Sequence, residues 1–141
     1  MDPYTLSRFV TAQEDSYHRA LEEIRGGRKQ SHWMWYVFPQ VRGLGRSAMS
    51  ETYAIGSLDE ARAYLAHPVL GPRLMEIAEA VLAIEDRSAT QIFGRPDDLK
   101  LQSSATLFAA ASPAGSAFER ILERYFDRRQ DQRTLQLLSR T

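Results

Sequence analysis

The chain has 141 residues, 43% of them hydrophobic and 26% charged, a balance that suits one soluble globular domain spanning the whole length and argues against disorder. With zero formal net charge and a pI of about 6.8, it carries no global field to gather nucleic acid or anionic lipid, so neither is an expected partner. There is no cysteine and there are only three histidines, which excludes disulfides and thiolate chemistry and leaves no expected metal site or other cofactor.

No run approaches the roughly twenty apolar residues of a membrane span, and the first residues lack the basic and apolar regions of a signal peptide. The expectation is a cytoplasmic protein without a membrane partner, a monomer or at most a weak homodimer.

Asp2-Pro3 has the form of an N-cap with proline at the first helical position, opening a short helix that carries Leu6, Phe9 and Val10 inward. Tyr17, Ala20, Leu21 and Ile24 fall at i, i+3, i+4 and i+7, one helical stripe ended by Gly26-Gly27. Trp33 to Phe38 reads two ways. Its aromatic and β-branched content suits a buried strand, while Ser31 as N-cap and Pro39 as stop allow about two helical turns. A short helix is predicted from Ala48 to Tyr53.

Ser57-Leu58-Asp59-Glu60 is a capping box opening a helix through Leu65, which His67-Pro68 breaks. Leu74, Ile77, Ala78, Val81 and Leu82 then form the clearest amphipathic face in the chain. Ser88 to Gln91 repeats the box for a turn stopped at Gly94, and Pro96-Asp97-Asp98 opens a helix with acidic residues at its positive end. Ala109 to Gly115 reads as a loop. Ser116 to Glu119 is a third box, leading into Phe118, Ile121, Leu122, Tyr125 and Phe126, and Leu135, Leu137 and Leu138 suggest a terminal helix. No strand–turn–strand pattern appears.

Several of these stretches together resemble a known family. Phe9-x-x-x-Gln13, Ser31-His32-Trp33-Met34-Trp35, Phe38-Pro39-Gln40, Gly43-Leu44-Gly45-Arg46-Ser47, Tyr53 and Asp98-x-Lys100-x-x-Ser103-Ser104-x-Thr106-Leu107-Phe108 are similar to the domain-of-unknown-function 1810 family, essentially from end to end. The resemblance implies an all-α fold, a compact multi-helix orthogonal bundle, and favours helix for Trp33 to Phe38. It implies no established activity. The label calpastatin that similar proteins sometimes carry finds no support here, since calpain inhibitors are disordered and repetitive. Ala105 departs from the methionine expected of the family at that place, a change of packing alone.

Two constellations carry candidate chemistry. In Arg42-Gly43-Leu44-Gly45-Arg46-Ser47, the glycines would let backbone amides approach an anion that Arg46 clamps; the plainer reading is a tight turn with solvated arginines. In the second, Lys100 and Ser104 lie at i and i+4 and Ser103 about one turn from Lys100, so a cation and hydroxyls share adjoining helix surface. Lys100 is one of only two lysines among 18 basic residues, a choice that fits a need for a compact point charge. The plainer reading has Asp97 and Asp98 complementing the helix dipole and the serines bonding back to carbonyls.

The expectation is a pocket between the aromatic segment and the Asp98 to Thr106 stretch, binding a small anionic, nucleotide-derived ligand such as an ADP-ribose-like molecule. Gly43, Gly45, Arg46 and Ser47 would hold the anion and Lys100 would add charge. Trp35, Gln40, Tyr53, Ser103 and Ser104 would complete the lining. For hydrolysis or transfer on such a ligand, His32 and Asp98 are the candidates for proton transfer. A competing expectation from another class is a non-enzymatic interaction module whose polar cluster is structural.

Overall fold

The computed structural model describes residues 2–140. Its helices run in the order α1 (Ser7–Gln13), α2 (Tyr17–Arg25), α3 (Met34–Val37), α4 (Ala48–Thr52), α5 (Leu58–Ala66), α6 (Leu70–Leu82), α7 (Ala89–Phe93), α8 (Asp97–Ala110), α9 (Ala117–Phe126) and α10 (Gln132–Leu138). No strand is formed among the described residues; an isolated parallel bridge joins Val41 to Ile55, closing the loop that carries α4. None of the helices among the described residues is long and apolar enough to cross a membrane.

The fold is all-α, as the resemblance implies. Helix α8 lies at its centre, packed against α5, α7, α9 and α10, while α6 packs on α2, α5 and α9. Leu101 and every residue from Ser103 to Ala109 are buried. A helix buried on so many sides shows no amphipathic stripe, and small residues at Ser103, Ser104, Ala105 and Thr106 let its neighbours come close. The hydroxyls of Ser103 and Thr106 donate to the carbonyls of Leu99 and Gln102, at 3.1 and 2.8 Å, and Thr106 Oγ1 also accepts from the Asp131 amide at 2.9 Å, just ahead of α10. Around this rod the buried rings make two groups of contacts. Phe9, Tyr64, Phe108 and Phe118 follow one another at centroid separations of 5.1, 5.3 and 5.5 Å, and Trp33, Phe38 and Phe93 form a triangle at 6.0 to 6.4 Å.

Local differences from the sequence expectations have identifiable causes. The first helix begins at Ser7, because the Asp2 carboxylate accepts from the Leu6 and Ser7 amides at 2.7 and 2.9 Å and so caps from a full turn upstream. Trp33 to Phe38 is helical as the resemblance implies, but for a single turn, and Ser31 does not cap it; that serine is taken by Glu23. Of the three capping boxes, the one at Ser88 closes fully. Glu60 and Glu119 reach past the N-cap to the amides of Gly56 and Gly115, at 2.9 and 2.7 Å. His67 does more than end α5: its Nδ1 accepts from the Val69 and Leu70 amides at 3.1 and 3.3 Å, supplying the acceptor that α6 otherwise lacks at its start.

Gln13, the polar member of the first motif, is buried at the end of α1. Its Nε2 donates to the Tyr36 carbonyl at 2.7 Å and to the Tyr64 hydroxyl at 3.0 Å. One amide thus fixes α3 against α1 and α5, and with it the tryptophan-bearing segment.

Candidate functional site

Glu23, on the last turn of α2, organises the aromatic segment. Its Oε1 accepts from the amides of Gln30 and Ser31 at 2.8 and 3.0 Å and from the Trp33 indole at 2.8 Å, while Oε2 accepts from the Ser31 hydroxyl. Burial by itself would raise this carboxyl, but the hydrogen bonds from Ser31, Gln30 and Trp33 outweigh it and pull the pKa down to about 2. A hydrogen-bonded carboxylate of this kind is a fixed anchor.

Beside that anchor the chain's two lysines meet. Lys29 lies 2.8 Å from Asp97 Oδ2 and Lys100 lies 3.5 Å from Asp97 Oδ1, so the two oxygens of one carboxylate each face an ammonium. Each ammonium also stands over a tryptophan, Lys29 at 4.9 Å from the Trp33 ring and Lys100 at 5.2 Å from the Trp35 ring. Lys29 is only 7% exposed and donates to the Ser31 carbonyl at 2.5 Å, whereas Lys100 is 22% exposed. A buried ammonium needs a carboxylate and benefits from an aromatic face. Lysine suits both positions because its charge is a compact point on a flexible stem.

The candidate residues form three groups. Trp35 of α3 meets Lys100 on the first turn of α8, and Ser103 and Ser104 follow Lys100 along the same helix. Trp35 is half-buried, Ser103 is bonded to its own helix, and the Ser104 hydroxyl is buried with no hydrogen-bond partner. Tyr53 lies against Tyr36 and Phe9, at centroid distances of 5.3 and 5.8 Å, and the Gln40 carbonyl accepts from the Ile55 amide at 2.9 Å. Tyr53 thus packs against rings of α1 and α3, and Gln40 is tied through its backbone to the segment after α4.

The loop from Arg42 to Ser47 forms the second group. Gly43 has φ +105°, and a Cβ there would stand 3.1 Å from Leu137 of α10; at Gly45 the chain passes so near Ser50 that a Cβ would come within 2.5 Å of that residue's own Cβ. The Ser47 hydroxyl caps α4 by accepting from the Ser50 amide at 3.1 Å. Arg46 is exposed and makes no hydrogen bond or ion pair among the described residues.

The third group is the proposed proton-transfer pair, one member just ahead of α3 and the other on α8. His32 is exposed, at the rim of the aromatic segment. Asp98 is 4% exposed and holds α7 to α8: its Oδ2 accepts from the Thr90 hydroxyl at 2.6 Å, its Oδ1 from the Leu99 amide at 2.9 Å, and Arg95 lies 3.7 Å away. No hydrogen bond joins His32 to Asp98.

Sequence reasoning missed Lys29, Asp97 and Glu23. The scarcity of lysine was a usable signal for Lys29, which stands two residues before the Ser-His-Trp motif. Asp97 was masked by its ordinary position in a helix's first turn, and nothing local marked Glu23. No cluster of three or more His, Asp or Glu side chains capable of holding a metal occurs among the described residues.

No curated protein matches the chain. The crystal structure of a conserved hypothetical protein from Mycobacterium tuberculosis is similar to it at 52% identity and a TM-score of 0.97, covering 99% of this chain and 100% of that one. The family described as a protein of unknown function, DUF1810, matches residues 3–138. The chain belongs to the DUF1810 family.

Proposed function

We propose that this protein binds a small anionic, nucleotide-derived ligand, of the ADP-ribose kind, on the face made by Trp35 and Lys100. The observation that carries this reading is the sharing of Asp97 between two ammonium groups. Lys29 holds the closer contact and is the more deeply buried, so Lys100 keeps part of its charge unanswered while it stands over a half-buried indole. A phosphate group answers such a cation, and a base or ribose face covers such a ring. In this reading Ser103, Gln40 and the Gly43 to Ser47 loop with Arg46 would hold the rest of the ligand. The reading is one of binding; a turnover role for His32 and Asp98 would need the ligand itself to bridge them.

A thermal-shift titration with ADP-ribose, AMP and ribose 5-phosphate tests it. At a hundredfold excess over Kd a true ligand stabilises the wild type by about 2.7 kcal/mol. Lys100→Ala and Trp35→Ala should each weaken binding by about tenfold or more while remaining folded. No shift with any of the three compounds, or equal shifts in wild type and both variants, would overturn it.

A second reading, an interaction module whose polar cluster is structural, draws on a specific observation: Glu23, Asp97, Asp98, Ser103 and Thr106 all have partners within the chain. It predicts that Lys100→Ala lowers stability and leaves the chain's response to every one of these compounds as it was.

A further inference from the structure

Lys29 also borders a hollow to which neither Trp35 nor Lys100 contributes. Arg28, Lys29 and Arg87, with Thr90 and Gln91 of α7, line a concavity of about 370 Å³ that ends at Gly94. Local structure builds it. Gly27, at φ +85°, turns the chain back after α2, and the Lys29 amide donates to the Ile92 carbonyl at 2.7 Å, holding the returning segment against α7. Arg87 lies along the bare face of Gly27, where a Cβ would stand 3.3 Å from its Nε. The closed capping box between Ser88 and Gln91 fixes the next turn.

What distinguishes this hollow is its charge. No carboxylate lines it, and the Arg28 and Arg87 guanidinium groups are exposed without an ion pair or hydrogen bond among the described residues. Several other exposed arginines have partners, Arg95 facing Asp98, Arg120 Glu79 and Arg128 Glu123, while others such as Arg46 do not; here two unpaired arginines line the same hollow. Two unpaired arginines that line one hollow repel each other at short range, and a dianion bound between them turns that repulsion into paired, charge-assisted hydrogen bonds.

We propose that this hollow is a phosphate-binding subsite, taking the phosphate or pyrophosphate group of a small metabolite between Arg28 and Arg87. It stands on residues other than those of the Trp35–Lys100 face and does not depend on that reading. Isothermal titration of inorganic pyrophosphate into the full chain tests it, at low salt and again near 0.15 M ionic strength, where bulk attraction is screened beyond roughly 8 Å. Saturable binding to one site is expected at both. Arg28→Ala and Arg87→Ala, both on exposed side chains, should each weaken it by about tenfold, and Arg19→Ala, an exposed arginine on α2, should leave it unchanged. Absence of saturable binding, undiminished affinity in the double variant, or an equal loss in Arg19→Ala would overturn the proposal. Lys100→Ala should retain pyrophosphate binding, so failure of the Trp35–Lys100 reading leaves a separate signature.

Discussion

Glu23→Ala is expected to destabilise the fold by about 3 kcal/mol, because each buried donor left without an acceptor costs on the order of 1–3 kcal/mol. Four donors lose their partner at once: the Gln30 and Ser31 amides, the Ser31 hydroxyl and the indole of Trp33, which is 1% exposed. Water can reach Gln30, which is exposed, so the full sum is not expected. In a chain of this size such a loss lowers Tm by roughly 10 °C, readable by calorimetry. The same carboxylate sets a pH signature. Folding depresses its pKa from the ordinary 4.5 to about 2, so its stabilisation is complete above pH 4.5 and is lost as pH falls from there towards 2. The stability gap between wild type and Glu23→Gln should therefore narrow across that interval; a gap that stays constant contradicts the anchor role.

The second large effect belongs to the other end of the molecule. Arg8→Ala should cost about 3 kcal/mol, as the removal of one partner from a buried pair does. The Arg8 guanidinium lies 2.9 Å from Glu60, whose side chain is 7% exposed, and also donates to the carbonyls of Thr52 and Ala54 at 2.8 and 2.7 Å and of Tyr4 and Thr5 at 2.6 and 2.9 Å. It stacks 4.4 Å from the Phe9 ring. One side chain thus clamps the start of α1 to the segment that closes the α4 loop. In a double-mutant cycle with Glu60→Gln, measured by urea unfolding, the pair should show a coupling of about 1 kcal/mol or more. Strict additivity would mean that Glu60 is held by its own backbone contacts and that Arg8 acts on the carbonyls alone.

How far the sequence foretold this depends on the range of the interactions involved. Helices α2, α6 and α9 bury one face each, and a one-faced helix writes its period into its own residues: Tyr17, Ala20, Leu21 and Ile24 are all buried, as are Leu74, Ile77, Ala78 and Val81. Helix α8 was legible at its start, through Pro96-Asp97-Asp98, and not along its length, because burial on all sides erases the stripe that periodicity detects. Trp35 and Lys100 were legible as motif residues and do meet. Their setting was not, since Lys29 and Asp97 join only through the tertiary fold. Ser31 has the form of a helix cap by every local criterion, and a carboxylate on the preceding helix claims it instead. Positive φ, the plainer reading for both loop glycines, holds at Gly43 and not at Gly45, where the close passage of Ser50 leaves no room for a Cβ.

The two indoles make the central claim directly observable. Trp33 Nε1 is committed to Glu23 and is buried, whereas Trp35 is half-buried beneath the Lys100 ammonium. In a titration of the ¹⁵N-labelled protein with ADP-ribose, the account predicts a saturable shift of the Trp35 indole resonance with the Trp33 resonance left nearly in place. Two indole signals that hold still throughout the titration, or a shift confined to Trp33, would contradict it.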